Sequence, residues 1–426
     1  MSASVENVRK TVLPNGLRIL TEVMPALPSV AVGVWCNSGS SSEVTAKRGL
    51  AHFAEHMLFK GTERRSAADL SREIDAIGGY LNGWTERECA CYYAKVLSRH
   101  TEKAVDLLAD MVCHSVLRPQ DVELERSVIL EEIKAAEDAP EDWVLDLLTE
   151  TLWRNHPLGT NLLGSAETVQ SFSAKSVRSF LREHYRPNNL LVAAAGQLDH
   201  DRFVEWVDNS LGSLKPRANN GPTNTSKPRV RAATRLISRP TEQVYLAVGT
   251  RGYSQTVEGR IPALVLDAIL GGGSSSRLFL EIREKRGLVY GIGTLCACYR
   301  QAGFFAITAS ATVKNIQQVA SLIERELRKV KSKGINQAEL RRAKEQLKGG
   351  LVISLESNAT RMMSNTRAEL YFGRHISLEE SLAEIERTTA DEVVQVAHEL
   401  FDDRYLTVTA IGPFDDTPLE LGMSVG

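Results

Sequence analysis

Apolar residues in this chain come in short continuous runs separated by longer stretches in which they recur every three or four positions. The short runs predict buried strands, and the longer stretches predict helices. The run VAVGVW at 30–35 is followed by a polar loop and a helix-like stretch over 49–59. The run QVYLAV at 243–248 is likewise followed by a polar loop and then a helix-like stretch over 260–270. A glycine turn precedes the next strand-like stretch in both cases: Gly78-Gly79 before 80–96, and Gly287 before 288–299. NLLVAAAG at 189–196 and YLTVTAIG at 405–412 close the two successions. Long helices are predicted over 104–117, 121–137, 315–332 and 337–355. The repeated order reads as an internal duplication. Strands and long helices mixed within each copy predict an α+β domain used twice.

The boundary between copies falls in KPRANNGPTNTSKPRVR at 215–231, which holds three prolines, three asparagines and almost no apolar residue. Such a stretch reads as an exposed linker. It divides the chain into a first domain over 1–214 and a second over 232–426.

Composition narrows the functional classes. The 426 residues are 43% hydrophobic and 24% charged, ordinary for a globular enzyme. With 51 Lys and Arg against 53 Asp and Glu, the basic excess of a nucleic-acid binder is absent. No window reaches the ~18 consecutive apolar residues of a membrane helix. The first ten residues show neither an apolar signal core nor an Arg-rich amphipathic pattern. The expected setting is therefore the cytosol, with neither nucleic acid nor membrane as partner. Among six cysteines, Cys89/Cys91 and Cys296/Cys298 are each two apart. On a strand that spacing puts both thiols of a pair on one face. They read as small packed thiols, because a zinc ribbon needs CxxC pairs. GGGSSS at 271–276 lacks both the Gly-Lys-Ser/Thr ending of a P-loop and dinucleotide-fingerprint spacing.

The sharpest chemistry lies in His52-Phe53-Ala54-Glu55-His56, within GLAHFAEHMLF. On a helix, the i, i+4 spacing stacks the two imidazoles on one face. They are then either two partly exposed helix histidines or two ligands of a tetrahedral Zn²⁺. Glu55 sits on the same side, where it reaches a water rather than serving as a ligand. A catalytic zinc needs a third protein ligand and an open position.

The stretch DVELERSVILEEIKAAED at 121–138 supplies candidates. On a wheel of about 100° per residue, Val122, Ile129, Ile133 and Ala136 share one face. Glu125 and Glu132 fall on that same face, whereas Glu123, Ser127, Glu131 and Lys134 lie opposite. A carboxylate on a core-facing stripe must meet a cation or a metal, or snorkel to water. Glu132 is therefore assigned as the third ligand. Glu125 is placed behind an imidazole, fixing its tautomer. The histidines at 100, 114, 156, 184, 200, 375 and 398 read as surface or packed residues.

HxxEH, with Glu132 placed 76 positions after His56 and Glu125 seven before that, resembles the pitrilysin/insulinase (M16) family of zinc peptidases. LPNGLRIL at 13–20, GGYLNGWTERE at 78–88, HPLGTNLLG at 156–164, YRPNNLLVAAAG at 185–196 and GGGSSSRLFLEIREKRGLVY at 271–290 extend the resemblance over nearly the whole chain. The length matches the shorter, processing-peptidase-like subfamily.

The resemblance implies two homologous α/β-roll domains, with mixed or antiparallel sheets flanked by helices. It implies zinc on His52, His56 and Glu132, Glu55 as general base and Glu125 as a supporting carboxylate. It also implies that Arg283 and Tyr290, read alone as a surface arginine and a half-buried strand tyrosine, contact substrate near the scissile bond. Asn82-Gly83 matches the segment that presents an edge strand to substrate. Family members more often carry Ala at the position of Gly83, so glycine is expected to loosen that strand. The implied activity is hydrolysis of peptides or unfolded polypeptide inside a closed chamber. The implied assembly is a homodimer in which one chain's zinc meets the other chain's Arg283 and Tyr290. The competing expectation is a non-catalytic or partner-dependent subunit of a processing-peptidase-like heterodimer.

Overall fold

The computed structural model describes residues 8–216, 226–414 and 424–425. Two compact units are present. Residues 217–225 of the expected linker lie outside the described residues.

The first unit is built on a sheet of β1 (Val8–Val12), β2 (Arg18–Val23), β3 (Ser29–Cys36), β4 (Tyr80–Thr85), β5 (Ala90–Leu97) and β6 (Leu190–Gly196). Their order is β1-β2-β6-β3-β5-β4, with β2 and β6 parallel and the other pairs antiparallel. The second unit carries β7 (Ala233–Ser238), β8 (Val244–Gly252), β9 (Gly291–Cys298), β10 (Gly303–Ala311) and β11 (Thr407–Gly412). Their order is β7-β11-β8-β10-β9, with β7 and β11 parallel. Strand for strand this repeats β2-β6-β3-β5-β4, which is the topology of a duplication. The fold is thus the mixed-sheet α+β pair expected from the sequence. β4 and β9 lie at corresponding sheet edges among the described residues.

The predicted helices are present as Leu50–Leu58, Thr101–His114, Pro119–Glu137, Arg260–Leu270, Val313–Lys333 and Gln337–Ser354. One face of each sheet is covered by helices of its own half. In the first unit, Leu107, Leu108 and Met111 meet Val32, Val34 and Tyr92. In the second, Leu266, Ile269, Val319 and Ile323 meet Leu246, Phe305 and Ile307.

The opposite faces are covered differently. The helix Asn358–Phe372, from late in the chain, belongs to the first unit. Its Met362 and Leu370 pack on Leu20, Ala31, Trp35 and Leu191. Two buried carboxylates fasten it there: Glu22 pairs with Arg361 and accepts from Asn365, and Glu369 accepts from Lys10 and Arg18. Conversely, the helix Pro140–Leu152, from the first half, belongs to the second unit. Its Val144, Leu147, Leu148 and Leu152 pack on Ala247, Phe304, Ala306 and Ile411. Each sheet's second face is therefore closed by a helix taken from the other half of the sequence. No described helix is long and apolar enough to cross a membrane.

Candidate active site

The helix Leu50–Leu58 has one apolar side: Leu50, Ala51, Phe53, Ala54 and Met57 pack with Val122, Ile129, Phe172, Val177 and Phe180. His52, Glu55 and His56 are carried on the other side. The helix starts at Gly49, whose φ of 90° lies in the left-handed region. A Cβ there would stand 2.4 Å from the Leu163 carbonyl oxygen, so glycine is required on both counts. Glu43 caps the first turn in place of the residue before the helix, accepting from Gly49 N–H at 2.9 Å and Ala51 N–H at 2.5 Å. Burial pushes the Glu43 carboxyl up to about 8.

The helix Pro119–Glu137 buries Val122, Glu125 and Ile129, and leaves Glu123, Ser127, Glu131 and Lys134 exposed, as the wheel predicts. Its Glu132 reaches the two histidines. Glu132 Oε2 lies 3.8 Å from His52 Nε2 and 3.6 Å from His56 Nε2. The imidazole rings pack edge to face at 4.6 Å. Among the described residues, His52, His56 and Glu132 are the group of metal-ligating side chains whose donor atoms all lie within 4.8 Å of one another.

The surrounding electrostatics suit a cation. Burial, reinforced by the neighbouring His56, brings the His52 imidazole down to about 3, so that ring is neutral and its lone pair available. His56 donates from Nδ1 to Glu125 Oε2 at 2.8 Å, which directs its Nε2 lone pair toward Glu132. Glu125 is 3% exposed, and its other oxygen pairs with the Lys60 ammonium. Three electron-pair donors thus converge. That donor set, two imidazoles and one carboxylate, is the set of an open catalytic zinc site.

Glu55 stands beside this group, and the buried Thr85 on β4 donates its hydroxyl to Glu55 Oε2 at 2.6 Å. Burial raises the Glu55 carboxyl above the ordinary range, opposed by the Thr85 hydrogen bond. An elevated carboxyl is suited to shuttling a proton near neutral pH.

β4 lies at the sheet edge, and its Asn82 is exposed. Asn82 Oδ1 accepts from the Gly83 N–H at 2.8 Å. The expected loosening at Gly83 has a packing counterpart: a Cβ would lie 3.0 Å from the Phe59 ring and 3.1 Å from Tyr92. Glycine here lets the Phe59 ring sit against the strand.

In the second unit, Arg283 lies in the π-helical stretch Phe279–Glu284. Its guanidinium stands 4.9 Å from the Phe279 ring centre and 6.0 Å from that of Tyr290. Tyr290, just before β9, is 80% exposed rather than half-buried. The pair is therefore mutually placed and open to solvent. His156 caps its own turn, accepting from Leu158 N–H, in keeping with a structural reading.

Lys60, Thr85 and Glu43 are site residues that sequence reasoning did not single out. Lys60 carried one usable signal, its place one helical turn beyond His56.

Comparison with known proteins agrees with this fold. Residues 18–166 match the model of insulinase (peptidase family M16), and residues 171–347 match the peptidase M16 inactive domain. A Streptomyces coelicolor protein named as an uncharacterized zinc protease is 40% identical, over 97% of this chain and 91% of its own. A Bacillus subtilis protein named as the uncharacterized zinc protease YmxG is 37% identical over 96% of this chain and 100% of its own. A Helicobacter pylori protease of solved structure superposes with a TM-score of 0.90 at 22% identity, covering 96% of this chain and all 100% of that one. The chain belongs to the insulinase family of peptidases, family M16. Its two units have the fold of that family's N-terminal and C-terminal domains.

Proposed function

We propose that this chain is a zinc-dependent endopeptidase that hydrolyses peptides or unfolded polypeptide segments. The observation that carries the reading is the convergence of His52, His56 and Glu132 donor atoms within 4.8 Å, with Glu55 alongside. His52, His56 and Glu132 hold the metal, and Glu125 and Lys60 hold His56. When bound, zinc supplies a Lewis acid that polarises the scissile carbonyl and acidifies water. Glu55 accepts the proton of the attacking water and delivers it to the leaving amine, Thr85 keeping one carboxylate oxygen oriented. The β4 edge receives an extended substrate as an added strand, between Tyr80 and Thr85. Arg283 holds substrate backbone or carboxylate, and the Tyr290 hydroxyl donates to the developing oxyanion. The bacterial sources of the sequence relatives support a bacterial setting.

A peptide-library digest with and without chelator, read by mass spectrometry, tests the activity. Glu55→Gln is expected to retain metal and to lose turnover by ~10²–10⁴-fold. Near-normal turnover in that variant would sink the assignment of the base.

The reading extends to assembly. The active unit is a homodimer enclosing a chamber, each site combining one chain's zinc group with the other's Arg283 and Tyr290. Its support is that one chain carries both groups. E55Q and the double variant R283A/Y290F should each be nearly inactive. After random subunit exchange, half of the dimers are mixed and each has one intact site, so about 25% of wild-type activity returns. No recovery after proven exchange refutes the shared site.

The second reading is a non-catalytic or partner-dependent subunit. A chain of a Candida albicans complex III2 structure shares this fold at a TM-score of 0.84 and 20% identity. Retention of His52, Glu55, His56 and Glu132 together favours the peptidase. Absence of turnover by the isolated chain, with metal bound, selects the second reading.

A further inference from the structure

The two Cys-X-Cys pairs have different surroundings. Cys89 and Cys91 are 4% and 0% exposed, sealed in the first unit. Cys296 and Cys298 are half-buried on β9, an edge strand, and both are free thiols. Two apart on a strand, they point to one face, and each thiol shifts the other's acidity.

That face looks onto the helix Arg260–Leu270. Thr294, two residues before Cys296, donates its hydroxyl to the Asp267 carbonyl at 3.0 Å. Asp267 Oδ1 is buried without a hydrogen-bond partner. Two charged groups act on the thiols from this helix: Arg260 favours both thiolates, and Asp267 disfavours that of Cys296. The neighbouring thiol holds Cys296 up and Cys298 down, and burial pushes both up.

A disulfide fits this geometry poorly. A strand rise of about 3.3 Å per residue separates the two Cα atoms by about 6.6 Å, the outer limit for a disulfide. Their Cβ vectors run side by side, whereas a disulfide needs Cβ atoms about 3.8 Å apart. Two metal–sulfur bonds of about 2.3 Å bridge sulfurs standing up to about 4.6 Å apart without bending the strand. Thiolates select soft ions.

We propose that Cys296 and Cys298 form a dithiol site for a thiophilic cation of low coordination number, of which monovalent copper is the class representative. Binding replaces two S–H bonds by two sulfur–metal bonds, releases two protons to solvent and changes no oxidation state. The bis-thiolate complex of a monovalent ion carries one negative charge, which Arg260, itself paired with Glu384 at 3.7 Å, favours.

The test uses the reduced full-length chain and Cu(I) under anaerobic conditions, against a chromogenic Cu(I) chelator. Wild type should retain one equivalent. C296S and C298S should each lose affinity by more than about tenfold, since loss of even a supporting residue behind a ligand typically costs 10–100-fold. C89S and C113S should retain wild-type affinity. Wild-type retention by C296S or C298S, loss in C89S, or no retention by wild type overturns the site. Should the serine variants fail to fold, phenylarsine oxide decides on the wild type. Its As=O takes two S–H groups and leaves as water, bridging the sulfurs. An adduct mapped to the peptide bearing Cys296 and Cys298 supports the site, and adducts only elsewhere overturn it. Neither readout depends on peptidase activity.

Discussion

Glu125 is gripped from both sides: its Oε2 accepts from His56 Nδ1 at 2.8 Å, while its Oε1 meets the Lys60 ammonium. A carboxylate that is 3% exposed needs both partners. Lys60 balances its charge and fixes its rotamer, and Glu125 in turn fixes the tautomer of His56. Lys60→Met and Glu125→Gln are therefore expected to weaken metal binding by ~10–100-fold. Lys60→Arg, which keeps the charge, should recover most of it. Chelator competition on the purified variants gives the affinities. Wild-type affinity in Lys60→Met would show that the ammonium is incidental.

Adjacent glutamates provide a paired test of the ligand set. Glu132 faces the two histidines, whereas Glu131 is exposed and pairs with Lys134 at 2.7 Å. Glu132→Gln should lose metal and turnover together. Glu131→Gln should leave metal content, turnover and Tm essentially unchanged, as expected for an exposed ion pair. Metal content by elemental analysis and Tm separate the two outcomes.

Glu43 gives a pH prediction. Its carboxyl is raised from 4.5 to about 8 by burial. A raised acid holds its proton more tightly in the folded chain than in the unfolded one, so folding takes up a proton between these values. The contribution to stability present below pH 4.5 is then lost as pH rises toward 8. Glu43→Gln cannot ionise. The Tm of wild type relative to Glu43→Gln should therefore fall steadily from pH 5 to pH 8. A constant or rising difference contradicts the burial of this charge.

Helix exchange predicts how the chain behaves when divided. Residues 1–214 alone lack the helix Asn358–Phe372, leaving Trp35, Leu191 and Ala193 uncovered and Glu22 without Arg361 and Asn365. Residues 232–426 alone lack the helix Pro140–Leu152 that covers Ala247, Phe304 and Ile411. Each fragment should aggregate or bind a hydrophobic dye when expressed separately. Co-expressed, they should co-purify as a folded complex. Two monodisperse, independently stable fragments would contradict the energetic weight given to these helices.

The donor set was legible because it follows helix arithmetic. His52 and His56 are one turn apart, and Glu125 and Glu132 depart from the polar pattern of their own helix. The duplicated strand order was legible from runs such as 30–35 and 243–248. Arg283 and Tyr290 carried no such pattern and entered only through family resemblance. Thr85 and Glu43 depend on which strand or loop comes beside the helix Leu50–Leu58, and no local periodicity encodes that. The helix exchange was hidden for a related reason: an amphipathic stretch such as 140–152 declares that it has an apolar face, not which sheet will receive it.

That exchange also sets a schedule for synthesis. The strands of the first sheet are complete at Gly196, but the helix that closes its second face begins only at Asn358. At about 5–20 residues per second, a ribosome leaves that face open for roughly 8 to 30 seconds. Throughout this interval the nascent chain presents Trp35, Leu191 and Ala193 to solvent and to chaperones. The unit that bears His52, His56 and Glu132 is closed only once the helix Asn358–Phe372 has been made, so maturation of the site waits on a segment far downstream of the sheet's last strand.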